Sequence, residues 1–247
     1  MIRSIHDHPF AVRAHFKHSA TLTFAAPREQ LKALIPECLE LDTFDNDWGF
    51  LAVAMVQTED MRPVGFPKLL GRNFFLIGFR VFVRYTTSYG KRLRGLYILR
   101  SYTDKKFMQR SGNLFTHYQY RYAPIHSSDE CGGAMRIEST ALGLSVECTD
   151  LGGSTELPAN SPFQDWKEAR RFAGPLPFTF TYNANDRSVL IIEGVRSNWH
   201  PEPLGVTNFR IPFLDELNLQ HVRLASAFIV KDIPYSWKKG VIDQWKQ

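Results

Sequence analysis

The sequence predicts an α+β fold dominated by β-structure, its strands rolled into a closed or partly closed barrel with a few short peripheral helices. Three observations carry this expectation. Eight or more segments are aromatic and β-branched runs or alternate apolar with polar residues. Only two or three short segments carry helical signals, and they do not alternate with the strands as a parallel βαβ series would. So many strands leave exposed edges unless the sheet closes, and a barrel of this size can enclose a pocket.

The elements follow in order. "APREQLKALIPECLELDTF" opens with a helix in which Pro27 suits the first position and Leu31, Leu34 and Ile35 share a face; Pro36 ends it. Leu39 to Phe44 then alternates like a strand. "WGFLAVAMVQ", "NFFLIGFRVFVRYTT" and "RLRGLYILRS" read as strands, the second well buried. Thr103 and Asp104 are both good N-caps for a short helix from Lys105 to about Phe115. "HYQYRYA" alternates, with Tyr118, Tyr120 and Tyr122 on one side and His117, Gln119 and Arg121 on the other. "AMRIESTALGLSVECTD" supplies one or two strands. "SPFQDWKEARRFA" is a helix started by Ser161 and Pro162 and closed by Gly174 and Pro175. "PFTFTYNANDRSVLIIEGV" is a hairpin, and a last strand runs from about His221 to Lys231. The glycine- and serine-rich stretches "IHSSDECGG" and "DLGGSTELPANSP" read as long connections within a single domain spanning residues 1–247.

Composition narrows the function classes. Hydrophobic residues make up 44% and charged residues 22%, the balance of a soluble globular chain. The 19 Phe, 9 Tyr and 5 Trp suit strands and the lining of an apolar cavity. The net charge is +5, with basic residues spread along the chain, so a nucleic-acid partner is not expected while a basic pocket for an anionic small molecule fits. Cys38, Cys131 and Cys148 are far apart and odd in number, which argues against a disulfide framework and a zinc site. His6, His8, His15 and His18 are too irregularly spaced for metal ligands. The N-terminus carries charge throughout and no stretch approaches eighteen apolar residues, so the expected setting is the cytoplasm with no membrane partner. No G-x-S-x-G, G-x-G-x-x-G or P-loop is present, which leaves no nucleotide cofactor, and no other cofactor, to predict.

"LKALIPECLELDTF" followed by "WGFLAVAMV" resembles the acetoacetate decarboxylase-like superfamily, in which a helix ending in Leu/Val-Pro and a Leu-Glu-Leu/Ile-Asp strand open a conical β-barrel. The match extends to an uncharacterised YqjF-like branch, whose final Ala-Ser-Ala-Phe strand resembles Leu224 to Val230. In the decarboxylases the first lysine of a Pro-Lys-Lys-Leu stretch forms a Schiff base with a β-keto acid. The resemblance maps that nucleophile onto Lys105 and its neighbour onto Lys106, with Asp104 in place of the proline. An ungapped alignment sets Phe24 and Leu51 where the decarboxylases carry an active-site arginine and a pocket glutamate. Schiff-base formation needs a neutral amine, which desolvation or a neighbouring cation supplies, and acetoacetate decarboxylase is itself the familiar example of a lysine activated in this way.

Each candidate residue carries two readings. Lys105 and Lys106 are a nucleophile and its activating neighbour, or two solvated residues on a helix start; Arg100, like Arg196, holds the substrate carboxylate, or forms an ion pair with Asp104 there. His117 is a general acid or base in a polar lumen, or a satisfied histidine. Tyr118 and Tyr120 are barrel wall or binding surface. In "EGVRSNWHPEP", Arg196, Asn198, Trp199 and His200 grip a substrate carboxylate at a barrel mouth, or form a structured turn. Two functions therefore stand: a carbon–carbon lyase acting through Lys105 on a small keto acid or carbonyl compound, or a non-catalytic barrel binding a small hydrophobic or anionic metabolite. Both place a small molecule in the barrel interior, and an exposed strand edge could support a homo-oligomer.

Overall fold

The computed structural model describes residues 4–129, 134–174 and 176–245; Cys131 and Pro175 lie outside the described residues. In chain order the elements are β1 (Val12–Pro27), α1 (Arg28–Lys32), β2 (Glu40–Leu41), β3 (Trp48–Pro63), β4 (Arg72–Thr86), β5 (Arg92–Thr103), α2 (Lys106–Phe115), β6 (Tyr120–Tyr122), β7 (His126–Asp129), β8 (Met135–Ser139), β9 (Leu144–Asp150), α3 (Trp166–Ala173), β10 (Phe178–Asn183), β11 (Ser188–Arg196), β12 (Glu202–Arg210), α4 (Pro212–Glu216), β13 (Arg223–Trp237) and β14 (Val241–Gln244). The architecture is mainly β, as the aromatic and β-branched runs require. No described helix is long and apolar enough to cross a membrane.

All fourteen strands belong to one strongly curved sheet. Its order runs β11-β10-β5-β4-β3-β1-β13, and a further pairing of β11 with β13 returns the sheet to its own edge. Seven strands thus form a closed ring. Closure satisfies backbone groups that an open edge would leave to solvent or to another chain. Strands β12, β9, β8 and β7 continue from β13 as a flange. Pairing is antiparallel except for two three-residue parallel stretches, β5 with β10 and β5 with β6.

The period of two divides each ring strand between two environments. On β3, Leu51, Val53 and Met55 point to a large apolar core shared with the flange and α4, where Phe24, Phe79, Ile137 and Phe213 pack. Ala52, Ala54 and Val56 alternate with them and face the ring interior. On β4, Ile77 and Phe79 take the core side while Gly78, Arg80 and Phe82 take the interior. The interior positions of β3 and β4 include two alanines and a glycine, so the ring centre is not filled.

The Leu-Glu-Leu-Asp strand has a physical role in this arrangement. Asp42 is fully buried and ion-paired with Arg84 of β4 and, at 2.6 Å, with Arg94 of β5; Glu40 meets Arg92 at 2.7 Å. Short β2 and the residue after it are thus tied to the ring by ion pairs as well as by a two-residue ladder.

Several expectations need correction. Strand β1, the longest together with β3, was not anticipated behind the charged N-terminus, and β12 was not anticipated beyond the Trp199 loop. Pro27 is the residue before α1, not its first position. The strand expected over Leu39–Phe44 reduces to Glu40–Leu41, because Asp45 and Asn46 turn with positive φ. The connection "IHSSDECGG" contains β7. Neither Thr103 nor Asp104 caps α2: Lys105 holds that position, and Asp104 Oδ1 instead accepts a hydrogen bond from the Phe75 amide at 2.7 Å. Helix α3 starts later than expected, with Asp165 accepting from the Glu168 amide at 2.7 Å while Ser161 Oγ donates to the Ala225 carbonyl. The tyrosine alternation holds through Tyr118 and Tyr120, both buried, and breaks after Tyr120, leaving Tyr122 exposed. The last strand reaches Trp237.

Candidate functional site

The ring encloses a cavity of about 120 Å³. Its walls are aromatic and small side chains: Phe16 of β1, Ala54 of β3, Phe228, Tyr235 and Trp237 of β13, and Tyr118 with Tyr120 from the segment after α2. Ala173 and Gly174 at the end of α3, with Trp199 from the β11–β12 connection, contribute at its rim. Two guanidinium groups, Arg80 and Arg196, enter it. Among the described residues that line it there is no aspartate, glutamate, lysine or histidine.

Arg80 is placed by its strand. It sits opposite Ala52 on one side and Ile98 on the other, where β5 carries an extra residue, Leu99, between Ile98 and Arg100. Such a bulge re-aims side chains locally. The missing side chain of Gly78 gives the guanidinium its bed: a Cβ there would stand 3.0 Å from Nε, 3.1 Å from Nη2 and 3.3 Å from Cζ of Arg80. With Cζ the farthest of the three atoms, it is the Nε–Nη2 edge of the group that lies against the strand at Gly78. Arg80 Nε is buried without a hydrogen-bond partner.

Ring closure positions the second arginine. The β11–β13 pairing sets Arg196 directly across from Tyr235, and the two side chains hydrogen-bond. The Tyr235 hydroxyl in turn passes so close to the backbone of Gly194 that no side chain fits there. The Arg196 guanidinium also lies 4.8 Å from the centre of the Trp199 ring, a cation–π contact. Burial lowers the Arg196 pKa, and Tyr235 partly offsets this. Burial raises the pKa of Tyr235 against the pull of Arg196 and Arg80, and raises those of Tyr118 and Tyr120. All three phenols are therefore neutral donors at neutral pH. Tyr118 Oη, alongside Thr179, completes no hydrogen bond, and neither does Trp199 Nε1.

Of the residues singled out from sequence, Arg196, Trp199, Tyr118 and Tyr120 meet in this cavity. The others lie elsewhere. Lys105 Nζ is 3.0 Å from Asp104 Oδ2 on a side chain 56% exposed, and Lys106 sits over the exposed Tyr122 ring. Arg100 is paired with Glu216 at 2.6 Å and stacks on Phe213, on the core side of the sheet. His117 contacts Asp7 at 3.0 Å in a surface groove, and Asn198 and His200 are exposed. Phe24 and Leu51, aligned with a decarboxylase arginine and glutamate, are each 1% exposed in the apolar core. Arg80, Tyr235 and Trp237 were missed. The available signal was the lone charge within "NFFLIGFRVFV", a positive residue inside an otherwise apolar run.

Comparison with known proteins places this geometry. A family model, DUF2071, described as an uncharacterized conserved protein, matches residues 13–231. No curated protein matches the sequence. Among solved structures, an acetoacetate decarboxylase from Legionella pneumophila is similar with a TM-score of 0.63 at 11% identity, over 95% of this chain and 87% of that one. An acetoacetate decarboxylase-like enzyme from Sphingomonas wittichii RW1 gives 0.57 at 11% identity, over 98% and 95%. The enduracididine biosynthesis enzyme MppR, complexed with the condensation product of pyruvate and imidazole 4-carboxaldehyde, gives 0.57 at 11% identity, over 95% and 89%. At these identities the likeness is one of fold, and the fold is that of the acetoacetate decarboxylase-like superfamily. Matched by the family model over most of its length, the chain belongs to the DUF2071 family, with a fold similar to that of acetoacetate decarboxylase.

Proposed function

We propose that this protein binds a small organic anion in the ring cavity, between Arg80 and the tyrosine hydroxyls. The observation that carries the reading is Arg80: a guanidinium held inside a ring of strands, its Nε buried without a partner and no carboxylate among the described residues of the cavity wall. Burying an ion without compensation costs several kcal/mol. A carboxylate or phosphate arriving from solvent would supply the missing charge in the two-pronged geometry that guanidinium favours. The cavity is slightly smaller than the ~150 Å³ engineered cavity that holds benzene, so the ligand has on the order of six to eight non-hydrogen atoms. Aromatic walls would take its carbon skeleton.

Lyase chemistry through a Schiff base at Lys105, with Lys106 and His117 assisting, has the shared fold in its support. Lys105 is paired with Asp104 on an exposed side chain and does not line the cavity, so the binding reading is the better supported. A single domain that retains the superfamily barrel while placing its cationic groups on the interior face is the form of protein we envisage.

The test is calorimetric titration with short carboxylates and their uncharged amides, on the wild type and on Arg80→Met. Binding of the acids alone, abolished in R80M, supports the proposal. Equal binding of amides, or undiminished binding by R80M, overturns it. Borohydride trapping with keto acids, followed by peptide mass spectrometry, tests Lys105 separately.

A further inference from the structure

We infer that a second site, outside the ring, binds an apolar carboxylic acid, with the hydrocarbon body inward and the carboxylate at the surface. The site is a cavity of about 220 Å³ between the β3–β4 hairpin and α2. Its floor is Phe74 of β4, Met108 of α2, Tyr118 and Tyr120, all buried. Its mouth is framed by Leu70, Phe107 and Arg72, all exposed. Tyr118, Tyr120 and Trp237 line this space and the ring cavity alike, so their side chains stand between the two. Large apolar side chains left exposed around a concave apolar site mark a place where something apolar is bound. The volume is about one and a half times that of the ~150 Å³ engineered cavity that holds benzene, which sets the buried chain at on the order of nine carbons.

The polar groups of the wall decide which way such a molecule lies. The hydroxyls of Ser111 and Thr116 are spent on α2 itself, donating to the Phe107 carbonyl at 3.0 Å and the Gly112 carbonyl at 2.8 Å. His8 is buried, and burial lowers its pKa, so it adds no charge to the wall at neutral pH. No aspartate, glutamate or lysine is among the described residues that line the cavity. Two arginines are, and they differ in what they hold. Arg62 is ion-paired with Asp60 and also donates to the Asp60 carbonyl at 3.0 Å and the Phe66 carbonyl at 3.1 Å, so it fixes the hairpin. Arg72 meets no carboxylate among the described residues; its guanidinium carbon lies 5.4 Å from the centre of the Phe107 ring. A cation–π contact leaves guanidinium N–H groups for an oxygen ligand. An amphiphile with its tail on the buried floor would bring its head group to Arg72. A carboxylate gains there, a cationic head is repelled, and an uncharged head gains little.

Calorimetric titration of the full chain with hexanoate, octanoate, decanoate and dodecanoate, each below its micellar concentration, tests the inference. Octanol and octyltrimethylammonium serve as controls for the head group. Affinity is expected to rise about three- to fourfold per added methylene as far as decanoate and then to level off. Octanoate is expected to bind about three- to fivefold more tightly than octanol, the most that an exposed ion pair supplies. Arg72→Met should bring octanoate down to the level of octanol, and Phe107→Ser should weaken every member of the series; both positions are exposed, so folding is preserved. Arg80→Met, which removes the cation of the ring cavity, should leave the series unchanged, so this inference and the ring-cavity proposal fail separately. Affinity independent of chain length, equal binding of all three head groups, or loss of binding in R80M with none in R72M overturns the inference. So does cosedimentation with phosphatidylglycerol vesicles by a protein that binds no octanoate, which would assign the exposed apolar side chains to a lipid surface.

Discussion

The guanidinium of Arg80 turns its Nε–Nη2 edge to Gly78, two residues earlier on the same face of β4, and the absent Cβ is what makes this approach possible. Glycine inside a strand normally weakens it. Here it makes room for a charged group within the ring. Gly78→Ala is therefore expected to displace the guanidinium by a few tenths of an ångström or more and to weaken anion binding about tenfold, ~1.4 kcal/mol. Thermal stability should stay the same or rise, since alanine lowers the backbone entropy cost of folding. Calorimetry beside a melting curve reads both effects.

Arg80→Met should separate function from stability. It removes a buried charge while keeping most of the side-chain volume, and replacing buried ions by apolar groups is often stabilising by ~1–4 kcal/mol. The expected result is an increased urea midpoint together with lost anion binding. A lower midpoint would show that Arg80 has a structural partner and would remove the argument for a ligand.

Asp42 is expected to behave in the opposite way. Asp42→Asn leaves Arg84 and Arg94 facing a neutral group at a fully buried position. Breaking a buried ion pair from one side costs ~3–5 kcal/mol. Urea denaturation should show that loss, and ligand affinity measured well below the transition should be unaffected.

Acid should destabilise the protein in two windows. Burial lowers the His8 pKa, so the unfolded chain takes up a proton from about pH 6.5 downward while the folded chain resists it; stability is full above that pH and falls below it. Burial tends to raise the Asp243 pKa, but hydrogen bonds from Ser88, Tyr85 and the backbone outweigh it and hold the carboxyl below its ordinary 3.8. Its contribution is present above 3.8 and is lost as pH falls through its lower folded value. Chemical denaturation at a series of pH values should show both slopes. His8→Asn, which tolerates the positive φ at that position, should flatten the first, and Asp243→Asn the second.

Burial pushes the thiols of Cys38 and Cys148 up to about 12. Both should resist iodoacetamide at pH 8 in the native protein and react once it is unfolded, as peptide mass spectrometry would show.

Much of the fold could be read from local pattern. The β10–β11 hairpin follows from Phe178, Phe180 and Tyr182 alternating ahead of an Asn/Asp-rich turn. Half of the cavity was legible too, because Arg196 and Trp199 stand in a polar, aromatic segment that resembles a binding loop. The other half was hidden by two causes. Arg80 lies inside an apolar run and reads as an isolated charge on a buried strand, since only Gly78 and the Leu99 bulge explain its direction. Tyr235 meets Arg196 through the β11–β13 closure, a long-range pairing that no local pattern specifies. The lysine pair drew attention because like-charge repulsion is visible in sequence. The Asp104 partner and the exposure of Lys105 depend on where β5 ends.

The central claim is that an anion belongs beside Arg80, and a crystal soaked in 3-bromopropionate tests it most directly through the anomalous signal of bromine. The expected result is a peak inside the ring cavity, with the carboxylate against the Arg80 guanidinium, and its disappearance in R80M. A cavity that stays without bromine while the wild-type crystal labels only surface sites would contradict it.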